Sequence, residues 1–410
     1  MIKAGSLLYA VYVCLLISLL TGALIFVFSL NLNISAKQNV QSELIDLCDS
    51  CLDYYLANSQ NFMDYKSDKL NLFDNGQICE FGKSSWGFYT GLFVKAYFKN
   101  DTIQKNSLVG KKQGKEKLAL YLSDWQKVFK VSGSTFIKGD MNLPSAGFKI
   151  VNILGNNQLN KPVVSGEIYR SNQLLPEILV PNLSELYSNG RKFTLNEFSR
   201  KSTIFNGFMN KTLVINLGKG EQLDNITLKG NIFISSADTL YINNSTRLEE
   251  VIIKAPKIVI EEGFVGRAQF FADSEIFVNK NVILNYPSSI AILSNSNIFN
   301  KKITVLKGSS VFGGVIVESS TFDEKEGSQI IINEGAFIMG SLFCNGKLQL
   351  KGEVLGTVHA HKLILETKSG VYDDILLNAK IDAVGLPKGF INLPLFKKLD
   401  DQIYGIVKTL

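Results

Sequence analysis

The chain has 410 residues, 46% of them hydrophobic, with 33 Gly, 8 Pro, 5 Cys and 2 His and a formal net charge of +6. That apolar content excludes a disordered chain, and so mild a charge gives no footprint of a dedicated nucleic-acid binder. The scattered cysteines exclude a disulfide framework, and two histidines leave little material for imidazole chemistry.

The first predicted element is a helix. No charge falls between Lys3 and Lys37, and Ser6 to Leu30 can span a bilayer, which takes about 20 apolar residues. A secretory signal has a shorter apolar core, ~7–15 residues, followed by a small-residue cleavage site. None follows here, so a retained single-pass membrane anchor is expected. Lys3 and the α-amine put the N-terminus in the cytoplasm and everything after about residue 31 outside. Val40, Leu44, Leu47 and Cys51 then share one helix face, with Glu43, Asp46, Asp49 and Asp53 opposite. The helix is expected to continue to about Phe62 as a rod of ~85 Å. Cys48-x-x-Cys51 lies on it. With no second pair to complete a zinc site, it reads as two small residues on a packed face. A bond from Cys48 or Cys51 to Cys79 is compatible with an oxidising compartment.

Such a rod, half apolar and half amphipathic, with a globular domain at its end, resembles the type IV pilins and minor pseudopilins. Lys3-Ala4-Gly5 before Ser6-Leu7-Leu8 looks like their short basic leader, cut after glycine. The resemblance implies cleavage between Gly5 and Ser6 and other pilin-like subunits as partners. The chain departs from major pilins at Ala10, where they carry Glu. Without that carboxylate to neutralise a neighbour's amine, the subunit is a poor filament repeat and suits a tip.

Residues 63–131 read as a strand-rich connecting region. Asp74-Asn75-Gly76 signals a turn, and Trp86, Phe88, Leu92, Val94, Ala96 and Phe98 alternate with other residues. Lys105, Lys111, Lys112, Lys115 and Lys117 surround a glycine-containing turn. They read first as a solvated hairpin loop and second as a patch for DNA or another anion, without interleaved aromatics for base stacking.

From 132 to 382 short apolar triplets recur, separated by turn residues or charges: "IVI" at 258, "IFV" at 276, "ITV" at 303, "III" at 330 and "LIL" at 363 are examples. A helical interruption is expected near 174–200, with Pro176 and Pro181 at its entry. Short strands at close intervals predict a solenoid with stacked aliphatic ladders inside. Gly340, Gly346 and Gly352 are six apart, as are Leu342, Leu348 and Val354, which suits one face of a three-faced coil. This segment resembles the bactofilins, whose domain is a right-handed parallel β-helix. The resemblance implies the fold and not their cytoplasmic polymerisation. The expected architecture is mainly β: a right-handed parallel β-helix preceded by a long transmembrane and amphipathic helix, residues 1–62. Residues 383–410 are expected to cap it. Phe390, Leu393, Leu395 and Phe396 would lie over the last coil, and Leu399, Ile403, Ile406 and Leu410 would form one helix face.

Catalytic material is thin. Asp323, Glu324 and Glu326 share one turn, Asp373-Asp374 another, and the neighbours in Glu249-Glu250 and Glu261-Glu262 point to opposite faces of a strand. His359 and His361 share one strand face and read as an exposed pair. With Cys344 they lack a fourth ligand for Zn²⁺. There is no nucleophile elbow, P-loop or H-E-x-x-H. The sequence therefore points to a protein without enzyme activity or cofactor: a membrane-anchored structural or adhesive surface component. Within the pilin resemblance it is a minor subunit of a pilus, secretion or DNA-uptake assembly, with polysaccharide or DNA as candidate ligand. Two alternatives stand beside it. A membrane-tethered carbohydrate-active β-helix enzyme needs a groove lined by acids from adjacent coils. A self-polymerising scaffold needs an uncapped end coil.

Overall fold

A computed structural model describes residues 4–58, 67–74, 76–114, 117–153, 162–198, 203–293, 300–319, 327–397 and 403–410. The chain is mainly β, 52% strand, with one long apolar helix at its N-terminus. It divides into two compact units, Met1–Lys83 with Leu92–Lys105, and Ser84–Gly91 with Asn106–Leu410.

In the first unit the helix α1 spans Ala4–Ala57, 54 residues, or ~80 Å at 1.5 Å per residue. No proline interrupts it. Its hydroxyls in the apolar run are satisfied locally, Ser18 donating to the Leu15 carbonyl and Thr21 to that of Ile17, each at 2.9 Å. Residues 5–39 are exposed throughout, whereas Leu44, Leu47, Cys48, Cys51 and Leu52 are buried. Glu43, Asp46, Asp49 and Asp53 stay exposed, so the two halves of the helix differ as their patterning predicts. The strand Ser67–Leu70 runs antiparallel to Ile78–Trp86, with Leu70 opposite Cys79. Leu92, Val94 and Ala96 of the strand Tyr89–Phe98 fill alternate buried positions, the period-two signal of a half-buried strand.

In the second unit nearly all pairing is parallel, and six of the parallel strands close on themselves as a barrel. Registered residues form three lines. One runs Leu240, Ile258, Ile276, Ile303, Ile330, Leu348, Leu363. A second runs Ile215, Ile234, Ile253, Phe270, Ile290, Val315, Leu342, Val358. The third includes Leu284, Val311, Ile338, Val354 and Ile381. All are fully buried in one aliphatic core. The triplets noted above supply the first line, and their third residues, Ile260, Val278, Val305 and Ile332, register beside it and are buried in the same core.

The lines continue past residue 382 in an order that the sequence does not announce. Val358 is followed by Leu120, then Met141 and Ile168. Ile381 is followed by Ile137 and then Val164. Strands early in this unit therefore stack beyond the late ones. The chain then returns to the opposite end, where Arg191–Thr194 pairs with Leu213–Asn216 and Thr203–Asn206 with Thr227–Gly230. The segment between Arg170 and Arg191 spans the stack. Its only helix is α2, Leu183–Asn189, whose N-cap Asn182 accepts from the Glu185 amide, so the expected helical interruption near 174–200 shrinks to seven residues.

Outward positions on the second line are also apolar. Val214, Phe233, Ile252, Phe271, Ile316 and Phe343 form a second core with Trp86, Phe88, Ile178, Leu393 and Leu395. This corrects the expected cap. Leu393 and Leu395 cover a side of the stack, not its last turn, because strands from 118 to 170 occupy that end. Residues Tyr404–Thr409 form a strand, not a helix, antiparallel to the Ser107–Lys111 stretch of the strand Asp101–Lys112. Ile406, Val407 and Thr409 are β-branched, and an open strand edge offers backbone partners that an isolated helical turn lacks. Leu399 lies outside the described residues.

The registered strands also carry sharp corners. Gly313, Gly340 and Gly356 stand in register there with φ of 141°, 122° and 145°. A Cβ on Gly340 would lie 2.1 Å from the Gly313 carbonyl oxygen, and one on Gly356 would lie 2.0 Å from that of Gly340. Only glycine fits this column.

Candidate functional site

Gly5 and Ser6 lie in the first turn of α1, and Gly5 has open space around it. The five lysines do not share one setting. Lys105 belongs to the first unit, where it pairs with Asp49 at 2.6 Å. Lys111 and Lys112 belong to the second. Lys111 is half-buried, and burial pushes its pKa down, whereas Lys112 is exposed opposite Ile391. The Lys117 carbonyl accepts from the Asp140 amide, and Lys115 lies outside the described residues.

The histidine pair is buried, contrary to expectation. His359 and His361 are each 4% exposed. They do project from one strand face, but that face is the one covered by the second core. His359 stacks on Tyr121 and lies 4.8 Å, ring to ring, from Phe396, and His361 meets Trp125 edge-on at 4.9 Å. Burial, with the nearby Lys111 charge, pushes the His359 pKa down to about 3, and burial pushes that of His361 down to about 4. Both are neutral at pH 7. Cys344 registers with Ala360, not with His359, and belongs to the interior core on the other side of the sheet. The zinc reading fails on that geometry. Among the described residues no group of three or more His, Cys, Asp or Glu is placed to hold a metal ion.

Glu249, Glu250 and Asp373 are engaged in ion pairs, whereas Asp374 is buried, which pushes its pKa up. Glu249 meets Lys229 at 3.0 Å, Glu250 meets Arg267 at 2.5 Å and also Lys408, and Asp373 meets Lys362 at 2.9 Å. Glu261 and Glu262 are exposed at a turn, and Asp323, Glu324 and Glu326 lie outside the described residues. Sequence reading missed a different carboxyl. Burial pushes the Glu318 pKa up to about 7, and its Oε2 has no hydrogen-bond partner among the described residues. Beside it Lys301, 2% exposed, donates to the Leu293 and Glu318 carbonyls at 2.9 and 3.0 Å. That ammonium closes a corner by satisfying main-chain oxygens.

A second feature missed from sequence is a basic column. Lys257, Glu275, Lys302, Gln329, Lys347 and Lys362 stand in register along the outside of the first line. Strand neighbours are ~4.8 Å apart, so Lys347 and Lys362 are adjacent, while Glu275 and Gln329 separate the other lysines and Lys257 pairs with Glu275 at 3.3 Å. Lys302, Gln329, Lys347 and Lys362 line an open groove with Glu366 and Asp373. The signal was present: each column residue immediately precedes an apolar triplet.

No protein family, curated protein or solved structure matches this chain.

Proposed function

We propose that the protein is a membrane-anchored, non-catalytic structural or adhesive component of the cell surface. α1 holds it in the bilayer as a single-pass helix with its N-terminus in the cytoplasm. The second unit is a parallel β-helix displayed outside, its three lines of registered strands forming the three faces. The observation that carries this reading is the change of character along α1. Its apolar stretch has mean hydropathy 2.6 and none of it is buried by the protein, while the half after Val40 packs. An apolar helix with no protein partner is stable in lipid and costly in water. The role is mechanical. Parallel stacking buries one continuous core and leaves lateral faces free for partners. In the groove Lys302 and Lys347, outside the Lys362–Asp373 ion pair, suit an anionic polymer, polysaccharide or DNA. Assembly as a minor-pilin-like subunit follows from the Lys3-Ala4-Gly5 leader and the apolar rod.

Mass spectrometry of the N-terminus of protein taken from native membranes tests this. A chain beginning at Ser6 supports the pilin-like branch, and an intact N-terminus supports a plain anchor. A soluble chain beginning after residue 30 overturns the anchor, because α1 would then be a removed signal.

A further inference from the structure

Three cysteines converge in the first unit. Cys48 and Cys51 stand about one turn apart on α1, Cys79 lies on the strand Ile78–Trp86, and each is completely buried. Cys48 directs its S–H to main-chain oxygens, that of Ile103 at 3.6 Å and that of Val94 at 3.9 Å. Cys51 and Cys79 lie where α1 packs on the strand: Tyr55, one turn after Cys51, stands 5.7 Å ring to ring from Phe81, two residues after Cys79 on the same strand face. The Cys79 thiol donates to the Cys51 sulfur, which raises the pKa of Cys79 and lowers that of Cys51. All five cysteines are thiols in this structure.

We infer that Cys51 and Cys79 are the two halves of a disulfide that ties α1 to the strand beginning at Ile78 in the exported protein. The inference rests on the extracytoplasmic placement proposed above. The pairing follows from position: Cys48, one turn away on the same helix, is engaged with carbonyl oxygens, while the Cys51 sulfur is the one that Cys79 meets. The oxidant is a disulfide, either a small-molecule disulfide or an enzyme of the thiol-oxidising class. The Cys51 thiolate attacks one of its sulfurs and expels the other as a thiolate, leaving a mixed disulfide. The Cys79 thiolate then attacks the Cys51 sulfur and expels the second. Two cysteine thiols are oxidised to one S–S bond, the oxidant is reduced to two thiols, and the two cysteine protons pass to its thiolates. Both sulfurs are inaccessible once packed, so exchange belongs to the folding chain.

The test uses the full chain in detergent, purified reduced, then refolded with glutathione disulfide, alkylated, digested and mapped by mass spectrometry. The expected product is one cross-link joining the Cys51 and Cys79 peptides, with Cys14, Cys48 and Cys344 alkylated. It forms equally in Cys48→Ala and is lost in Cys51→Ala. No cross-link, or one through Cys48, overturns the pairing whatever the compartment. Protein alkylated directly from native membranes gives the second arm. The same cross-link there supports the inference. Free thiols there, despite correct pairing in the refolded chain, overturn the bond as a resident feature, and the placement is judged separately by the N-terminal mass spectrometry.

Discussion

His359 and Glu318 are both buried away from their ordinary charge states, and they pull stability in opposite directions with pH. An unfolded histidine titrates near 6.5 and His359 near 3, so between those values the unfolded chain binds the extra proton. Its contribution is complete above pH ~6.5 and is lost as pH falls, at up to about 1.4 kcal/mol per pH unit. His361, pushed down to about 4, adds the same sign over a shorter window. His359→Phe keeps a ring beside Tyr121 and Phe396 and is expected to flatten the acid limb, read as urea midpoints between pH 7.5 and 4. Glu318 runs the other way. Its folded pKa is raised to about 7, so the folded chain holds the proton longer and stability declines as pH rises from about 4.5 to 7. Glu318→Gln removes the charge and keeps the shape. It is expected to stabilise the protein at pH 8 by about 1–3 kcal/mol and to change nothing at pH 4. A variant less stable at pH 8 would show that the carboxylate is favourably held.

At the scale of the strand, the corner glycines and the inward aliphatics carry separate loads. Gly340→Ala places a methyl against a carbonyl oxygen at a φ of 122°, and it is expected to cost about 3 kcal/mol or more. Gly22→Ala in α1, where nothing lies within 4 Å, should be neutral or raise helicity. Ile303→Ala opens a cavity between Ile276 and Ile330 and should cost about 2–5 kcal/mol. Denaturant unfolding of the three variants in detergent checks the order. The strands themselves were legible in the triplets, and the change along α1 in its charge pattern. The basic column was legible too, since Lys302, Gln329, Lys347 and Lys362 hold the same place before each triplet. What periodicity leaves out is the partner of each face. An outward row such as Phe271, Ala291, Ile316 and Phe343 reads as core without saying what covers it. The histidines were placed in solvent for the same reason, since Tyr121 and Phe396 are remote in sequence. Local pattern at 404–409 was read as helix because the open strand edge supplied by Ser107–Lys111 is a tertiary fact.

At the scale of the second unit, the stacking order differs from the chain order. The period of the triplets encodes that strands stack, and nothing in it encodes that Leu118–Leu122 docks on Val358–Ala360. A chain ending at Gly352 therefore removes the platform under residues 118–170 while leaving their own sequence untouched. Limited proteolysis is expected to cut within 118–170 in that truncation and to spare it in the full chain. Equal protection in both would mean that this segment holds together without the late strands.

The docking of Leu118–Leu122 has a temporal side. A polypeptide made from its N-terminus presents those residues long before their platform at Val358–Ala360 exists, with more than half a chain length still to come. Until then Ala119, Leu120 and Leu122, all destined for the interior, are flanked on one side only, by the strand Asp140–Leu143. Completion of the unit waits on the last third of translation, and high sequence separation of this kind slows folding and prolongs the interval in which sticky edges are open. A holding factor that recognises extended aliphatic stretches would have its natural client window there.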